Sequence, residues 1–253
     1  AVLFVLNNKP DKEIRRTSGE ENIIIAAKPE TNTRAMLILA DGVQIDLVHD
    51  LPEVVEQKRA IIRGENGKLL YEVKRDSLLN DETVEETFNR VVTYVGGDYF
   101  LTLSDGTRVW LNADSELEFP VSFVRNERVV KLQGEAYFEV QRDVNKPFIV
   151  DANGLRTRVL GTSFNVKAYR DEQNVFTTLV KGSVAVEVLD NGNVPTSRVV
   201  LEPGMQAMWH EGSKAISVQP VNVANIAAWK DGKFIFTEED IEVVLRTLSR
   251  WYG

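Results

Sequence analysis

The sequence predicts an all-β fold of elongated, stacked or coiled antiparallel sheets, made of short strands and hairpins. A C-terminal helix is predicted to start a truncated α/β module. Three observations lead to this class: Asx-Gly pairs recur along the chain, apolar residues alternate between them, and one strand-turn-strand unit occurs twice. The 253 residues are enough to bury a substantial core.

Asn-Gly and Asp-Gly pairs mark the predicted turns. A two-residue turn of type I′ needs positive φ at both positions, which Asn or Asp followed by Gly tolerates best. Residues 101–117, LTLSDGTRVWLNADSEL, show the pattern as strand, two-residue turn and second strand. The six pairs are Asp41-Gly42, Asn66-Gly67, Asp105-Gly106, Asn153-Gly154, Asn191-Gly192 and Asp231-Gly232.

Alternation and repetition support the strands between these turns. SVAVEV at residues 183–188 places its three valines on one face, as in a half-buried strand. LILADGVQIDL at residues 37–47 matches LTLSDGTRVWL at residues 101–111, and LQGEAYFEV at 132–140 matches VKGSVAVEV at 180–188 more weakly. Repeated strand-turn-strand units favour stacked or coiled sheets over a βαβ fold.

The polar residues of the 101–117 segment are candidate ligands or acids, but they also suit an architectural role. Asp105 is predicted to form the turn, and Asn112 and Asp114 to end the strand by bonding to the backbone. Trp110 lies on the opposite face to its two apolar neighbours. It is predicted to form a second packing surface, with a contact point as the alternative.

Two segments have helical character. Residues 81–92 begin with acidic side chains, which suits a helix N-terminus, and an ordered loop is the alternative. In residues 237–253, Thr237 and Asp240 approach a capping box before an apolar stripe. KFIF at residues 233–236 followed by this helix is predicted to be the first βα piece of another module. The stripe comprises Ile241, Val244, Leu245, Leu248 and Tyr252.

Composition limits the partners and the compartment. The formal net charge of −8 argues against nucleic acid as the main partner, because a phosphate-binding surface needs clustered Lys and Arg. The absence of cysteine excludes disulfides and thiolate sites without deciding the compartment. The apolar residues 1–6, AVLFVL, are either a short buried strand or the tail of a membrane helix.

No motif in the sequence predicts a catalytic, cofactor or metal site. His49 and His210 are the only histidines and have no ligand-like spacing. LGTSFNV at residues 160–166 lacks the second glycine of a nucleophile elbow and is predicted to be a strand. Glu135 and Glu139 would lie roughly 13 Å apart along a strand, too far to act alone as a glycosidase pair, although a carboxylate from a distant segment could complete a site.

Taken together, an ordered set of stretches resembles the FecR family of membrane-anchored sigma-factor regulators, in the form common in Bacteroidetes. Each stretch alone is a common strand-and-turn pattern. The occurrence of all of them in the family's order is specific to the family. The resemblance is dense from about residue 93 to the end and looser over residues 31–72. The stretches are LSDGTRVWLNADSELEFPVSF (103–123), LQGEAYFEV (132–140), KPFIV (146–150), VLGTSFNVKAY (159–169), TLVKGSVAVEV (178–188), LEPGMQAMW (201–209), WKDGKFIF (229–236) and LRTLSRWYG (245–253).

The resemblance implies a modular regulator and no enzyme. Residues 1–30 would be a membrane-proximal remnant and linker, residues 31–230 a periplasmic β domain, and residues 231–253 the start of a secretin/TonB N-terminal-like module. The implied partners are the signalling domain of an outer-membrane TonB-dependent transducer and an extracytoplasmic-function (ECF) sigma factor. The sigma factor would bind a cytoplasmic segment outside these residues, and only an upstream anchor would meet the inner membrane.

The end of the chain supplies the candidate partner-binding residues, with packing inside the missing module as the alternative. They are Phe234, Phe236, Leu245, Leu248, Trp251 and Tyr252. A rival hypothesis is a periplasmic glycan-binding or polysaccharide-processing β protein in which Trp110 and Trp209 form a sugar platform. A cleft lined by aromatic residues, with two carboxylates within about 9.5 Å, would favour that rival.

Overall fold

The protein is described by a computed structural model that covers residues 5–6, 23–27, 35–47, 55–56, 60–65, 68–74, 86–190, 194–237 and 239–252. The strands are β1 (Val5–Leu6), β2 (Ile23–Ala27), β3 (Ala35–Ile38), β4 (Gln44–Asp46), β5 (Val55–Glu56), β6 (Ala60–Glu65), β7 (Lys68–Val73), β8 (Phe88–Thr93), β9 (Tyr99–Thr102), β10 (Arg108–Leu111), β11 (Ser115–Pro120), β12 (Arg128–Glu139), β13 (Phe148–Ala152), β14 (Leu155–Val159), β15 (Ser163–Ala168), β16 (Asn174–Lys181), β17 (Val184–Leu189), β18 (Pro195–Leu201), β19 (Met205–His210), β20 (Ile216–Pro220) and β21 (Lys233–Thr237). The helices are α1 (Val223–Ile226), a 3-10 helix (Ala228–Asp231) and α2 (Ile241–Tyr252).

Strands β3 to β20 form one large open sheet with two halves, which confirms the all-β prediction. The first half-sheet runs in the order β4-β3-β8-β11-β12-β13-β14-β17-β18. The second half-sheet runs β5-β6-β7-β9-β10-β12-β15-β16-β19-β20. Pairing is antiparallel except between β12 and β13 and between β7 and β9.

The long strand β12 belongs to both halves. Leu132 pairs with β11 in the first half-sheet, and Phe138 pairs with β10 and β15 in the second. Gly134 lies at the passage between them with φ of +95°. A Cβ there would lie 2.7 Å from the Cα of Ser115, so only glycine fits this bend.

The core lies between the two half-sheets. Their inward side chains form one buried cluster, and the Tyr71 and Phe119 rings meet edge to face across it at 5.1 Å. Within the core, the hydroxyl groups of Thr157 and Thr177 pair with each other, with their oxygens 3.0 Å apart. The alternating apolar residues of the strands therefore face one another, as in stacked sheets.

The predicted hairpins form, with differences in turn type. Asn153 (φ 47°) and Gly154 (φ 87°) make the two-residue turn between β13 and β14. Asp41-Gly42 lies in the connection from β3 to β4, which has five residues instead of two: Leu39 N–H bonds to Val43 O and only Gly42 takes positive φ, so the predicted two-residue turn is wrong there. The pairs Asn66-Gly67 and Asn191-Gly192 include residues outside those described.

Two further turn predictions are wrong. Between β9 and β10 there are five residues instead of two, because Leu103 N–H bonds to Thr107 O and only Gly106 takes positive φ. Asp231-Gly232 makes no hairpin. Gly232 instead ends the 3-10 helix with φ of 75° and leads into β21.

The segment 81–92 is not a helix over its described part. Residues from Phe88 onward form β8, which pairs with β3 and β11. Asn89 is buried there and donates to the hydroxyl of Tyr71, so this strand joins both halves of the core. The acidic residues at the start of this segment are typical of a helix N-terminus. The pairing of β8 with two neighbouring strands outweighs that local preference.

At the N-terminus, the structure agrees with a strand at Val5–Leu6, one of the two alternatives for residues 1–6. This strand pairs in parallel with β2, and β2 pairs antiparallel with β21. The remaining residues of that segment lie outside those described. Among the described residues, no helix has the length and apolar character needed to cross a membrane.

Candidate functional site

The candidate site is the C-terminal layer, which we define as α1, the 3-10 helix, β21 and α2. Helix α2 confirms the predicted helix, but its N-cap is Asp240, whose Oδ1 accepts a hydrogen bond from the Glu242 N–H at 3.0 Å. Thr237, the predicted cap, ends β21 instead. The layer packs on the outer face of the second half-sheet, away from the core.

The six predicted partner-binding residues divide into two groups. Phe234, Phe236 and Trp251 are buried, and Leu248 is partly buried against the same cluster. Within the cluster, the Phe234 and Trp251 rings lie 5.2 Å apart. The cluster also contains Trp229 and Val244 of the layer and Ala113 and Tyr137 of the sheet.

The other predicted residues lie on the side of α2 that is exposed to solvent. Leu245 is 59% exposed and Tyr252 is 44% exposed. Ile241, one turn before Leu245, is 61% exposed. These three side chains form what we call the outer face of α2. The apolar stripe predicted from the sequence therefore has two parts. Val244 and Leu248 pack against the sheet, and the other three side chains are exposed to solvent.

Arg250 attaches α2 to the loop between β15 and β16. Its Nη1 donates to Glu172 Oε1 at 2.6 Å, and its Nη2 donates to both carboxylate oxygens of Asp171 at 2.6 and 2.8 Å. The guanidinium lies 3.6 Å from the centroid of the Tyr169 ring. We call this set of contacts the Arg250 fork.

The electrostatics of the fork favour charged Arg250. Burial lowers the pKa of Arg250, but Tyr169, Glu172 and Asp171 outweigh that effect, so the pKa lies above its ordinary value. Burial raises the pKa of Tyr169, whose hydroxyl donates to the carbonyl oxygen of Ala113 at 2.9 Å. The neutral phenol thus links the fork to the turn that precedes β11.

A second attachment runs through buried amides. Trp229 Nε1 donates to Asn165 Oδ1 at 3.2 Å, and Asn165 Nδ2 donates to Glu135 Oε1 at 2.8 Å. Asn112 Nδ2 donates to the other carboxylate oxygen of Glu135, also at 2.8 Å. Burial raises the pKa of Glu135 despite these donors. We call this set the amide chain, and it ends beside the bend at Gly134.

A cleft of about 620 Å³ separates part of the layer from the second half-sheet. Its wall includes Phe176, Trp229 and the carboxylates of Glu135 and Glu172. Both carboxylates already have partners: Glu135 accepts from two amides, and Glu172 is bound by Arg250 and by Lys167 at 2.9 Å. These acids are used in holding the layer, and neither is positioned as a free general acid or base.

The two tryptophans on which the glycan hypothesis depends do not form a platform. Trp209 is 6% exposed, lies in the core and donates from Nε1 to Ser213 O at 2.8 Å. Trp110 is packed between the rings of Phe100 and Tyr137, at 4.7 and 5.7 Å. Its predicted packing role is confirmed.

The polar residues of the β9–β10 hairpin are architectural. Asp105 accepts hydrogen bonds from the Thr107 N–H at 2.9 Å and from Arg128 Nη1 at 2.7 Å. Arg128 is buried and also donates to the carbonyl oxygen of Gln141, so the hairpin is attached to the start of β12. Over the part of the chain that the structure describes, no group of three His, Asp or Glu could hold a metal ion.

Sequence reasoning missed the Arg250 fork and the amide chain. Arg250 lies on the side of α2 opposite the predicted apolar stripe, where a charged side chain is normally expected to be solvated. Its partners are 78 and 79 residues away in the chain. The sequence marks Glu135 as a possible acid, and only the fold shows that two asparagine amides bind its carboxylate.

Comparison with known proteins agrees with this architecture. Residues 89–185, which run from the second residue of β8 to the second residue of β17, match the family described as FecR protein. Two crystal structures of a proposed anti-sigma factor from Parabacteroides distasonis ATCC 8503, at 2.50 and 1.65 Å resolution, are 33% identical to this chain. The first covers 65% of this chain and 75% of that protein with a TM-score of 0.60, and the second covers 64% and 74% with a TM-score of 0.59.

No curated protein gives a significant match. The family match nevertheless falls on the strands that build both half-sheets and the bend between them. The solved structures share a third of their residues with this chain over about two thirds of its length. On this sequence and structural similarity, the chain belongs to the FecR family.

Proposed function

We propose that this chain is the periplasmic part of a membrane-anchored anti-sigma factor that relays a signal by protein contact. The signal comes from the signalling domain of an outer-membrane TonB-dependent transducer and reaches an ECF sigma factor through a cytoplasmic segment outside these residues. Membership of the FecR family and the likeness to a proposed anti-sigma factor support this role.

The outer face of α2 is the observation that carries the proposal. Ile241, Leu245 and Tyr252 expose apolar surface on a helix whose other face is fixed to the sheet. An amphipathic helix that presents apolar side chains at helical spacing suits a hydrophobic groove on a partner. Since fully burying such a side chain contributes about 1.5–3 kcal/mol, these three would form the apolar centre of the contact.

The pairing of β2 with β21 supplies a route toward the membrane-proximal segment. Strand β21 lies directly before α2, and it is hydrogen-bonded to β2 from Ile23 opposite Thr237 to Ala27 opposite Lys233. In the proposed division, residues 1–30 follow the membrane anchor and residues 231–253 begin the docking module. A displacement of the docking module would therefore act on the segment next to the anchor.

Direct binding tests the proposal. The probe is the isolated signalling domain of an outer-membrane TonB-dependent transducer from the same organism, titrated onto the full chain by calorimetry. Ile241→Ser combined with Leu245→Ser removes two side chains of the outer face, and we expect at least a tenfold weaker Kd, equivalent to about 1.4 kcal/mol.

The matched control is Val200→Ser combined with Val218→Ser. These valines are 61% and 41% exposed on β18 and β20, so the control removes similar apolar surface from strands remote in sequence from α2. The control should bind like the wild type. Failure of the wild-type chain to bind, or equal losses in both variants, would contradict docking on α2.

A further inference from the structure

The C-terminal layer is held by contacts that are separate from the core. Its buried side chains form their own cluster on the outer face of the second half-sheet, and the core between the half-sheets forms another. We propose that the Arg250 fork and the amide chain are a latch, which lets the C-terminal layer open as one unit while the half-sheets stay folded. Separate clusters are the condition under which part of a protein opens on its own.

The geometry of the Arg250 fork allows its contacts to be broken from the solvent side. Glu172 has 10% of its side chain exposed, whereas Asp171 has 61%, so water reaches the fork from the Asp171 side. Arg250 is buried and its Nε has no hydrogen-bond partner among the described residues. A buried guanidinium with one unmet donor gains less from the closed state than a fully bonded one.

The fork also holds the backbone of the layer. The carbonyl oxygen of Arg250 accepts a hydrogen bond at 2.8 Å from the N–H of Gly96, in the turn between β8 and β9. One residue thus joins α2 to two loops of the sheet, before β9 and before β16. Loss of the Arg250 contacts removes attachments at both loops together, which makes the opening of α2 cooperative.

The amide chain is the second fastening, at the other end of the layer. Trp229 of the 3-10 helix reaches Asn165 and, through it, Glu135 beside the bend in β12. A shift of β12 or of the β15–β16 loop would therefore alter the contacts that hold the layer. Because β21 pairs with β2, opening of the layer is expected to free β2 too.

The use of this latch rests on the proposed function, in which a partner bound on α2 would favour the open layer. The existence of the latch does not depend on the proposed function. Hydrogen-exchange mass spectrometry on the full chain tests the latch without any partner, so failure of the latch and failure of transducer binding are separate results.

We expect Arg250→Gln to raise amide exchange about 10–100-fold in residues 223–252, as loss of charge-assisted hydrogen bonds implies. Exchange should also rise in residues 23–27, 94–97 and 169–173, which contact the layer. The strands β11, β13 and β14 in the first half-sheet should keep wild-type protection. Asp171→Asn removes only the exposed arm of the fork and should give a smaller rise in the same segments.

The matched control is Arg246→Gln, the same change of charge on the same helix at a residue outside the fork. It should leave exchange in residues 223–252 within about twofold of the wild type. Unchanged exchange in Arg250→Gln would overturn the latch. An equal rise in the layer and in β11, β13 and β14 for both fork variants would also overturn it, because the protein would then open only as a whole.

Discussion

At the scale of single residues, the bend in β12 depends on the missing side chain of Gly134 as much as on the side chain of Ser115 that packs against it. Gly134 has no Cβ where one would lie 2.5 Å from the Cβ of Ser115, and Ser115 uses the space to accept a hydrogen bond from the Glu135 N–H at 2.9 Å. Gly134 therefore allows the strand to turn, and its neighbour Glu135 enters the amide chain.

Gly134→Ala is expected to destabilise the protein by about 2–4 kcal/mol, since it adds both positive-φ strain and overpacking. Gly42→Ala is the control. It has a similar φ of 87° and nothing within 4 Å of the added Cβ, so only the strain of about 1–2 kcal/mol should appear. Urea unfolding measures both, and equal losses would show that crowding against Ser115 is unimportant.

The pH dependence of stability should report on Glu135. Its pKa is raised in the folded state by burial. A carboxyl with a raised pKa adds stability below its unfolded pKa, and that stability is lost as the pH rises through the folded pKa. From about pH 4 to pH 7, we expect wild-type stability to fall relative to Glu135→Gln.

Urea unfolding of both proteins across that range is the measurement. Glu139→Gln changes a carboxylate on the same strand that pairs with Arg108 near the surface, and it should not reproduce the trend. A wild-type minus Glu135→Gln difference that is constant with pH would show that Glu135 keeps an ordinary pKa in the fold.

At the scale of elements, two hairpins with the same Asp-Gly sequence differ in what they hold. Among the described residues, Asp41 accepts a hydrogen bond from the Val43 N–H of its own turn, whereas Asp105 accepts one from the Thr107 N–H and also binds the buried Arg128. The sequence echo between residues 37–47 and 101–111 thus reflects shared turn chemistry. The attachment of the second hairpin to β12 is a property of the fold.

Asp105→Asn is expected to cost about 3–5 kcal/mol, because it leaves the buried Arg128 guanidinium without its counter-charge. Asp41→Asn, the same change in the exposed hairpin, should cost no more than about 0.5 kcal/mol. The free energies of unfolding from chemical denaturation compare the two. Similar small losses would mean that the carbonyl partners of Arg128 are sufficient to hold it.

At the scale of the whole molecule, the two half-sheets are predicted to unfold together. They share β12 and one core, in which the ring of Phe138 lies 5.1 Å from that of Phe164 and 6.1 Å from that of Phe148. Strands that bury their inner faces only against each other cannot lose one half-sheet without exposing the other. The C-terminal layer, with its separate cluster, is the part that can open first.

Phe138→Ala should lower the free energy of unfolding by about 3–5 kcal/mol. Since each kcal/mol shifts the Tm by about 2–4 °C, the Tm of the sheet should fall by roughly 6–20 °C. Far-ultraviolet circular dichroism should still show one transition. Phe88→Ala, at a ring that is 37% exposed on β8, should give less than half that shift. Two resolved transitions in Phe138→Ala would mean that the half-sheets unfold independently.

The sequence by itself determined the all-β class, most hairpin positions, the inward valines of β17 and the existence of α2. These follow from local rules: turn residues that accept positive φ, alternation with period two, and apolar spacing on a helix. The same local rules mistook the start of β8 for a helix and Thr237 for a cap, because strand pairing and the end of β21 are decided by distant partners.

Only the tertiary structure decided how the two half-sheets share β12 and which face of α2 is buried. It also brought Arg250 to Asp171 and Glu172, and Trp229 to Asn165, across 64 to 79 residues of chain. No local pattern encodes these pairs, because a charged or amide side chain looks solvated until the fold supplies a buried partner. The free energy of such a contact depends on burial, which is a property of the assembled molecule.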